Sequence, residues 1–199
     1  MERMNSSSVH GDTLRLFLAF RVPECWRLEL RKTVTRLKED FRSGNMHWVP
    51  EEKWHLTLKF FGRMEHQCVP ELTLCLERAC LRSRPVDLFL APVGDFGRSG
   101  QMSVLWAGVG GELTALQGLV SAIDQECQHL VERPESRAYH PHVTLARVRR
   151  GYNQGRLPSG IDHPKSETER FSSVELIQSR PEKGGSVYSP IQSFSMKTR

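Results

Sequence analysis

Long apolar runs are absent from the 199-residue sequence, in which none approaches the roughly 20 residues that a membrane-spanning helix needs. The first eleven residues are polar and rich in serine, and no signal peptide is visible in them. The five cysteines are an odd number, lack the spacing of a metal site and are interpreted as reduced thiols. These absences argue against a membrane protein and a disulfide scaffold, and they predict a cytoplasmic protein.

Lysine is also scarce, because 21 of the 28 basic residues are arginine and only 7 are lysine. Arginine presents a planar fork of donors that matches phosphate oxygens, whereas lysine is a point charge. The formal net charge of +5 fits an anionic partner such as a nucleotide or RNA, and it fits an ordinary solvated surface equally well. Charge alone therefore leaves the partner open.

The order strand, helix, strand occurs twice in the pattern of apolar residues, and this repeat predicts two similar lobes. The first copy is predicted at 14–20, 24–41 and 54–61, and the second at 104–109, 112–132 and 142–148. The other predicted elements are a helix at 69–81, a strand at 86–93, a glycine-rich loop at 94–100, a polar connection at 149–169, and strands at 171–179 and 186–194.

Each copy ends in a strand that carries a His-x-Thr motif. The motif is His55-Leu56-Thr57-Leu58 in the first copy and His142-Val143-Thr144-Leu145 in the second. Residues i and i+2 of a strand point to the same face, so each histidine shares a face with its threonine. One such motif is typical of an ordinary half-buried strand, whereas two at equivalent places in a repeat indicate a functional site.

Two imidazoles and two hydroxyls on one cleft suit phosphoryl transfer without a metal. One neutral histidine can take a proton from the nucleophile while a protonated one gives a proton to the leaving oxygen. The threonine hydroxyls can bond the non-bridging phosphate oxygens, where charge grows in the transition state. No metal is expected, because His140 and His142 have no further ligands to complete a zinc site.

Three further residues are candidates for the same cleft. Arg147 lies at an odd offset from His142, so a bulge or the strand end must turn it toward the cleft before it can bind phosphate. Lys59 shares the face of His55 on an ideal strand and is expected to line the cleft floor or its rim. Tyr188 follows two glycines and presents either a phenol or a stacking ring to the site, or else packs as an ordinary aromatic.

The sequence resembles the RNA 2′,3′-cyclic phosphodiesterases (the ThpR/LigT group, once called 2′-5′ RNA ligases) of the two-histidine phosphoesterase superfamily. Besides the twin motifs, the similar stretches are 15–20, 48–50, 55–62, 104–109, 141–147 and 184–188. The paired motifs are diagnostic of the superfamily, and the other similar stretches are typical of this group. Only residues 1–13 fall outside the resemblance, and they are expected to be a disordered tail.

The resemblance implies an α+β fold with two lobes related by a pseudo-twofold axis. Two antiparallel sheets would face a central cleft with the helices outside, in a single domain of two intertwined lobes spanning 14–199. It also implies hydrolysis of a terminal 2′,3′-cyclic phosphate to a 2′-phosphate, with no cofactor. His55 would be the general acid, His142 the general base, and Thr57, Thr144, Arg147 and Tyr188 would bind the phosphate or substrate.

Some alternatives stay open at this point. The substrate could be a cyclic phosphate on a small nucleotide instead of RNA, or the chain could be a nucleotide-binding or RNA-binding module without catalysis. The reverse reaction, 2′-5′ joining of RNA ends, is a lesser possibility because it has no energy input. The self-contained plan of two lobes favours a monomer.

Overall fold

The computed structural model describes residues 13–41, 44–131, 137–149, 154–155, 157 and 163–197. The expected N-terminal tail therefore lies outside the described residues, except for Thr13, which is the first residue of a strand. Much of the predicted polar connection at 149–169 also lies outside them.

The described residues form nine strands, three α-helices and short 3₁₀ turns. The strands are β1 (Thr13–Arg21), β2 (Met46–Trp48), β3 (His55–Glu65), β4 (Val86–Arg98), β5 (Gln101–Gly111), β6 (His142–Val148), β7 (Glu169–Phe171), β8 (Ser173–Glu182) and β9 (Gly185–Ser195). The helices are α1 (Glu24–Asp40), α2 (Val69–Leu81) and α3 (Leu113–Cys127).

The strands form two antiparallel halves that meet at their centre, which confirms the predicted α+β fold. The strand order is β7-β4-β5-β6-β3-β1-β8-β9, with β2 added on β6. One residue pair, Leu56 with Val143, joins β3 to β6 and so links the halves. The two strands that carry the His-x-Thr motifs are thus the innermost ones, as a pseudo-twofold repeat requires.

The helices cover one face of this curled sheet and leave the other to the cleft. On β1, Leu16, Leu18 and Phe20 are fully buried in the main core with the apolar sides of all three helices. The alternate residues Phe17 and Ala19 belong to a small separate cluster on the opposite face. Because the main core contains residues of both halves, it supports the proposal of a single domain with intertwined lobes.

The predicted loop at 94–100 is wrong, because β4 continues to Arg98 and turns into β5 at Ser99 and Gly100. Two of the glycines lie inside the strand because a side chain there would collide with its neighbours. A Cβ on Gly94 would strike the ring of Trp106, and one on Gly97 would strike the backbone of the partner strand. These glycines permit close approach and are not loop residues.

β3 also runs past its predicted end at Gly62, which adopts φ +74° and lets the strand continue to Glu65. The other predicted helices and strands agree with the structure to within a few residues, except at 112–132, where the α-helix ends at Cys127. All five cysteines are unpaired, and three of them are buried. None of the helices in the described part of the chain is long and apolar enough to cross a membrane.

Candidate active site

The single residue pair between the halves brings the two motifs together. Leu56 and Val143 face each other across the β3–β6 junction, and both side chains are buried in the main core. The residues on either side of them therefore point to the opposite face, toward the cleft. These flanking residues are His55 and Thr57 on β3, and His142 and Thr144 on β6.

Each histidine is held by the same backbone contact. His55 Nδ1 lies 2.7 Å from the carbonyl oxygen of Lys53, and His142 Nδ1 lies 2.7 Å from that of His140. A carbonyl oxygen only accepts a hydrogen bond, so Nδ1 must carry a proton in both rings. Nε2 is therefore the nitrogen that gains or loses a proton, and both half-sites leave it available for acid–base work.

Burial lowers the pKa of both histidines below the ordinary value, against the opposing effect of the two carbonyl contacts. Nearby positive charge lowers them further. The charge of Arg147 acts on both rings, that of His142 acts on His55, and that of His140 acts on His142. These couplings place the two imidazoles and the guanidinium in one electrostatic environment. An anion bound among them would raise both pKa values, because it favours the protonated rings.

The two threonines are half-buried beside the histidines. Within the described part of the chain, neither hydroxyl has a hydrogen-bond partner, although Thr57 receives a hydrogen bond on its backbone oxygen from Tyr139. A hydroxyl without a protein partner in a cleft is available to a ligand. The contact of both hydroxyls with phosphate oxygens stays a prediction.

A β-bulge turns Arg147 toward the cleft, as the odd offset from His142 demands. Trp106 pairs with Thr144 and the preceding residue, Leu105, pairs with Ala146, so Leu145 is the extra residue. After that shift Arg147 shares the face of Thr144. It is exposed and has no ion pair to the described residues.

Arg147 differs in this respect from two arginines on the helices. Arg31 of α1 pairs with Glu51 at 2.6 Å, and Arg78 of α2 pairs with Glu126 at 2.8 Å. Such pairs on the surface contribute little to stability, but they satisfy the positive charge locally. A cleft arginine without a carboxylate is instead suited to an anionic ligand.

Aromatic rings enclose both histidines. On the β3 side, His55 lies 4.9 Å from Phe17 and 5.4 Å from Tyr188, measured between ring centres. The structure therefore brings Tyr188 to the site, where its ring packs on the histidine. On the β6 side, His142 lies 5.0 Å from Phe96 and 6.2 Å from Trp106.

Sequence reasoning missed most of these rings. The ring of His140, interpreted as a structural residue, packs at a tilt with its centre 4.7 Å from that of Trp106, and its carbonyl holds His142. Phe96 lay in the segment predicted to be a loop, so its position in the cleft had no signal in the pattern. Phe17 sits in the short apolar run at 14–20 that was predicted to be a buried strand, and it could not be assigned to a face.

The prediction that Lys59 lines the cleft floor or its rim is wrong. Its Nζ pairs with Asp124 on α3, on the helix-covered face. The reason is a second bulge, in which Ala19 pairs with Thr57 but Leu18 pairs with Lys59, so that Leu58 is the extra residue. The ideal alternation used for the prediction fails at that point.

No cluster of three or more possible metal-ligating residues occurs within the ranges that the structure describes. The described residues instead offer, on the cleft face, two imidazole Nε2 atoms, the hydroxyls of Thr57 and Thr144, which have no partner among these residues, and the guanidinium of Arg147. This set is suited to a phosphate group that changes its ester bonds by proton transfer.

Comparison with known proteins finds relatives along most of the chain. The RNA 2′,3′-cyclic phosphodiesterase of Methanocaldococcus jannaschii is 27% identical over 184 residues, which are 91% of this chain and 100% of the relative. The protein of the same name from Thermotoga maritima is 30% identical over 164 residues, or 79% and 84% of the two chains.

The crystal structure of TT0787 of Thermus thermophilus superposes with a TM-score of 0.77 at 25% identity, covering 92% of this chain and 98% of the other. The pattern that defines the 2′-5′ RNA ligase superfamily matches residues 26–180, a stretch that includes both histidine strands and most of the described core. On the match of sequence pattern, fold and twin motifs, the chain belongs to the 2′-5′ RNA ligase superfamily.

Proposed function

We propose that the chain hydrolyses a terminal 2′,3′-cyclic phosphate of RNA to a 2′-phosphate, using two histidines and no metal. The observation that carries this proposal is the pair of equivalent half-sites, in which Nδ1 of His55 and of His142 is occupied by a carbonyl while Nε2 remains available. The names of the relatives, RNA 2′,3′-cyclic phosphodiesterases, supply the substrate class.

In the proposed reaction, Nε2 of neutral His142 takes a proton from a water molecule as its oxygen attacks phosphorus. The bond from phosphorus to the 3′ oxygen breaks, and protonated His55 gives that oxygen its proton through Nε2. The product has a 2′-phosphate and a 3′-hydroxyl, and the two histidines have exchanged protonation states. Thr57 and Thr144 donate hydrogen bonds to the non-bridging oxygens, where negative charge grows.

Arg147 stabilises the same charge from the β6 side, and its effect on the pKa of both rings supports that location. Tyr188 is proposed to hold His55 and the substrate edge through its ring. Attack of a 5′-hydroxyl in place of water on the cyclic phosphate would form a 2′-5′ bond with the same groups, because His142 would again act as the base and His55 would again protonate the departing 3′ oxygen.

The test compares His55→Ala and His142→Ala with His66→Ala, a control at an exposed histidine outside the site. On an oligonucleotide ending in a 2′,3′-cyclic phosphate, each site variant should lose about 10²- to 10⁴-fold in kcat, as expected for removal of a general acid or base. The control should retain the activity of the parent protein, and all three should show unchanged circular dichroism. Full activity in both site variants would overturn the proposal.

A chelator and a mononucleotide substrate complete this test. We expect activity to persist in excess EDTA, because no step uses a metal. We also expect the cyclic-phosphate oligonucleotide to react with a higher kcat/KM than a nucleoside 2′,3′-cyclic phosphate. The opposite order would favour a small nucleotide as substrate, whereas tight binding without turnover would favour a binding module.

We also propose that the protein acts as a cytoplasmic monomer. Both half-sites come from the same chain, so catalysis needs no second subunit. All five cysteines are unpaired, as is usual where thiols are kept reduced. Light scattering at the concentrations used for kinetics tests the monomer, and fractionation of cells tests the location.

A further inference from the structure

Two arginines face each other across neighbouring strands on the cleft side of the sheet. Arg15 on β1 pairs in register with Arg63 on β3, and both side chains are exposed. The adjacent residues Leu14 and Met64 also pair with each other, and they pack on the main core. Because successive residues of a strand point to opposite faces, this arginine pair, Arg15 with Arg63, lies on the cleft face.

The arginine pair lies in line with the first histidine. The cross-strand pairs that follow one another on this face of β1 and β3 are Arg21 with His55, Ala19 with Thr57, Phe17 with Phe60, and Arg15 with Arg63. The extra residues of the register shifts all belong to β3, so the six residues from Arg15 to Arg21 on β1 span about 20 Å. The arginine pair therefore shares the cleft with His55 but is too far away to contact a phosphate bound there.

No carboxylate neutralises the arginine pair. Neither guanidinium has an ion pair or a hydrogen bond to the described part of the chain. Glu65, in the next cross-strand pair, accepts a hydrogen bond from Gln67 instead. Arg21, at the other end of the same face, is by contrast paired with Glu175 at 2.9 Å. Like charges directly opposite each other on a ladder are destabilising, so the arginine pair costs stability that its described neighbours do not return.

A phosphate group between the two guanidiniums would remove this repulsion, because a guanidinium can donate two parallel hydrogen bonds to phosphate oxygens. On the basis of the function proposed above, we propose that the arginine pair binds a backbone phosphate of the RNA, upstream of the nucleotide that carries the cyclic phosphate. An RNA that ends in a 2′,3′-cyclic phosphate continues only in the 5′ direction, and the arginine pair directs this continuation along β1 and β3. Phosphate contacts carry no sequence information, so the site would select for length and not for sequence.

A series of substrates of increasing length tests the proposal. Adenosine 2′,3′-cyclic phosphate and oligoadenylates with the same cyclic end, from the dinucleotide to the hexanucleotide, are assayed with the parent protein, Arg15→Gln and Arg63→Gln. The parent KM should fall once the oligonucleotide is long enough to reach the arginine pair. For those longer substrates each variant should raise KM by about ten-fold with little change in kcat, because a hydrogen bond to a charged group is lost far from the reacting phosphorus. Both variants should keep the parent KM for the mononucleotide.

The matched control removes the same charge from the opposite face of the sheet. Arg180 is exposed on β8, next to Ser179, which pairs with the cleft residue Tyr188. Arg180 therefore points away from the cleft, and Arg180→Gln should leave KM unchanged at every length. An equal rise of KM in all three variants would overturn the proposal, because net charge alone would then explain it. A rise that includes the mononucleotide, or no rise at any length, would overturn it as well.

Two further measurements distinguish a phosphate contact from a structural role. The logarithm of the affinity for the hexanucleotide falls with the logarithm of the salt concentration, by about 0.7 for each phosphate neutralised on a single strand. Arg63→Gln should reduce this slope by about 0.7, and an unchanged slope would contradict the contact. Arg63→Glu places a carboxylate opposite Arg15, so it should raise the urea midpoint while it weakens the binding of long RNA. A lower midpoint would refute the repulsion between the two arginines.

A binding measurement separates this inference from the proposed hydrolysis. Fluorescence anisotropy with labelled oligoadenylates that end in a 2′-phosphate needs no turnover. If the protein hydrolyses no cyclic phosphate but Arg15→Gln and Arg63→Gln still weaken only the longer oligonucleotides, the arginine-pair proposal stands and the proposed reaction fails. If hydrolysis is normal and both variants bind every length as the parent does, the reverse is true.

Discussion

The β3 half-site and the β6 half-site share one backbone plan and differ in what surrounds it. Both hold Nδ1 of a histidine with the carbonyl two residues earlier, and both have a bulge at the leucine after the threonine. Beyond the bulge, one half has Phe60 and the other Arg147.

The rings that enclose the histidines differ as well. His55 packs on Phe17 and Tyr188, and His142 packs on Phe96 and Trp106. A duplicated scaffold therefore supplies two similar imidazoles, and the neighbours must make them unequal, because the proposed reaction needs one acid and one base.

The largest expected effect is a difference in kcat that distinguishes the acid from the base among the two histidines. A thiolate leaves without help from an acid, because the pKa of a thiol is far below that of an alcohol. We therefore expect a substrate whose bridging 3′ oxygen is replaced by sulfur to restore most of the kcat lost in His55→Ala, and little of that lost in His142→Ala. Quenched-flow kinetics on both substrates measures this, and restoration of the His142 variant instead would exchange the two roles.

The next largest effect is expected on removal of the positive charge of Arg147, on the β6 side of the cleft. Arg147→Ala should lower kcat/KM about ten- to hundred-fold, since it removes a hydrogen bond to a charged group. Arg180→Ala is the control, at an exposed arginine on β8 that points away from the cleft. Retention of the parent kcat/KM by Arg147→Ala would place the phosphate away from this side chain.

Arg147→Ala should also change the pH dependence. Positive charge disfavours the protonated imidazole, so loss of the guanidinium should raise the pKa of both histidines. In the parent protein both values are lowered, and the bell-shaped profile of kcat/KM should have its maximum below about pH 6.5. The variant's maximum should move to higher pH, and a shift in the opposite direction would contradict the coupling.

A smaller loss of kcat is expected on removal of either threonine hydroxyl. Thr57→Val and Thr144→Val keep the shape of the side chain and remove the hydroxyl. Each should reduce kcat by about ten-fold, as expected for a hydrogen bond to a charged oxygen. The urea midpoint should hardly change, because neither hydroxyl bonds to the described part of the protein. Equal losses of kcat in the two variants would mean that the phosphate lies symmetrically between the threonines. An unchanged kcat in both variants would remove the threonines from the proposed mechanism.

The ring packing on the β6 side can be disturbed alone. Gly94→Ala should destabilise the protein by about 1–3 kcal/mol, since the new methyl group collides with Trp106. Gly118→Ala in α3 is the matched control, because nothing lies within 4 Å of the added atom, and it should stabilise the protein by about 0.5–1 kcal/mol. Chemical denaturation measures both, and equal stability of the two variants would contradict this packing.

The smallest effect is at the junction of the halves. The Tyr139 hydroxyl donates a 3.0 Å hydrogen bond to the carbonyl of Thr57, near the place where β3 and β6 diverge. Tyr139→Phe should cost about 1 kcal/mol of unfolding free energy. Tyr188→Phe keeps the ring that packs on His55, so it should leave both the stability and kcat/KM unchanged. Equal stability of Tyr139→Phe and the parent would show that the bond is dispensable.

Much of the fold could be read from periodicity. The helices at 24–41 and 69–81 and the strand at 142–148 follow directly from apolar spacing, because each buries one face against the same core. The β4–β5 hairpin could not be predicted in full, since Gly94 and Gly97 carry the composition of a loop. Their absence of a side chain serves packing between strands, which depends on the partner strand and not on the local sequence.

By itself, the sequence determined the repeat, the two histidines and the two threonines, because a period of two fixes which residues share a face wherever a strand is regular. Only the tertiary structure decided the faces of Lys59, Phe60 and Arg147, which depend on bulges that arise from pairing with β1 and β5. It likewise decided which rings enclose each histidine, since those rings come from strands distant in sequence that meet only when the halves close on a common core.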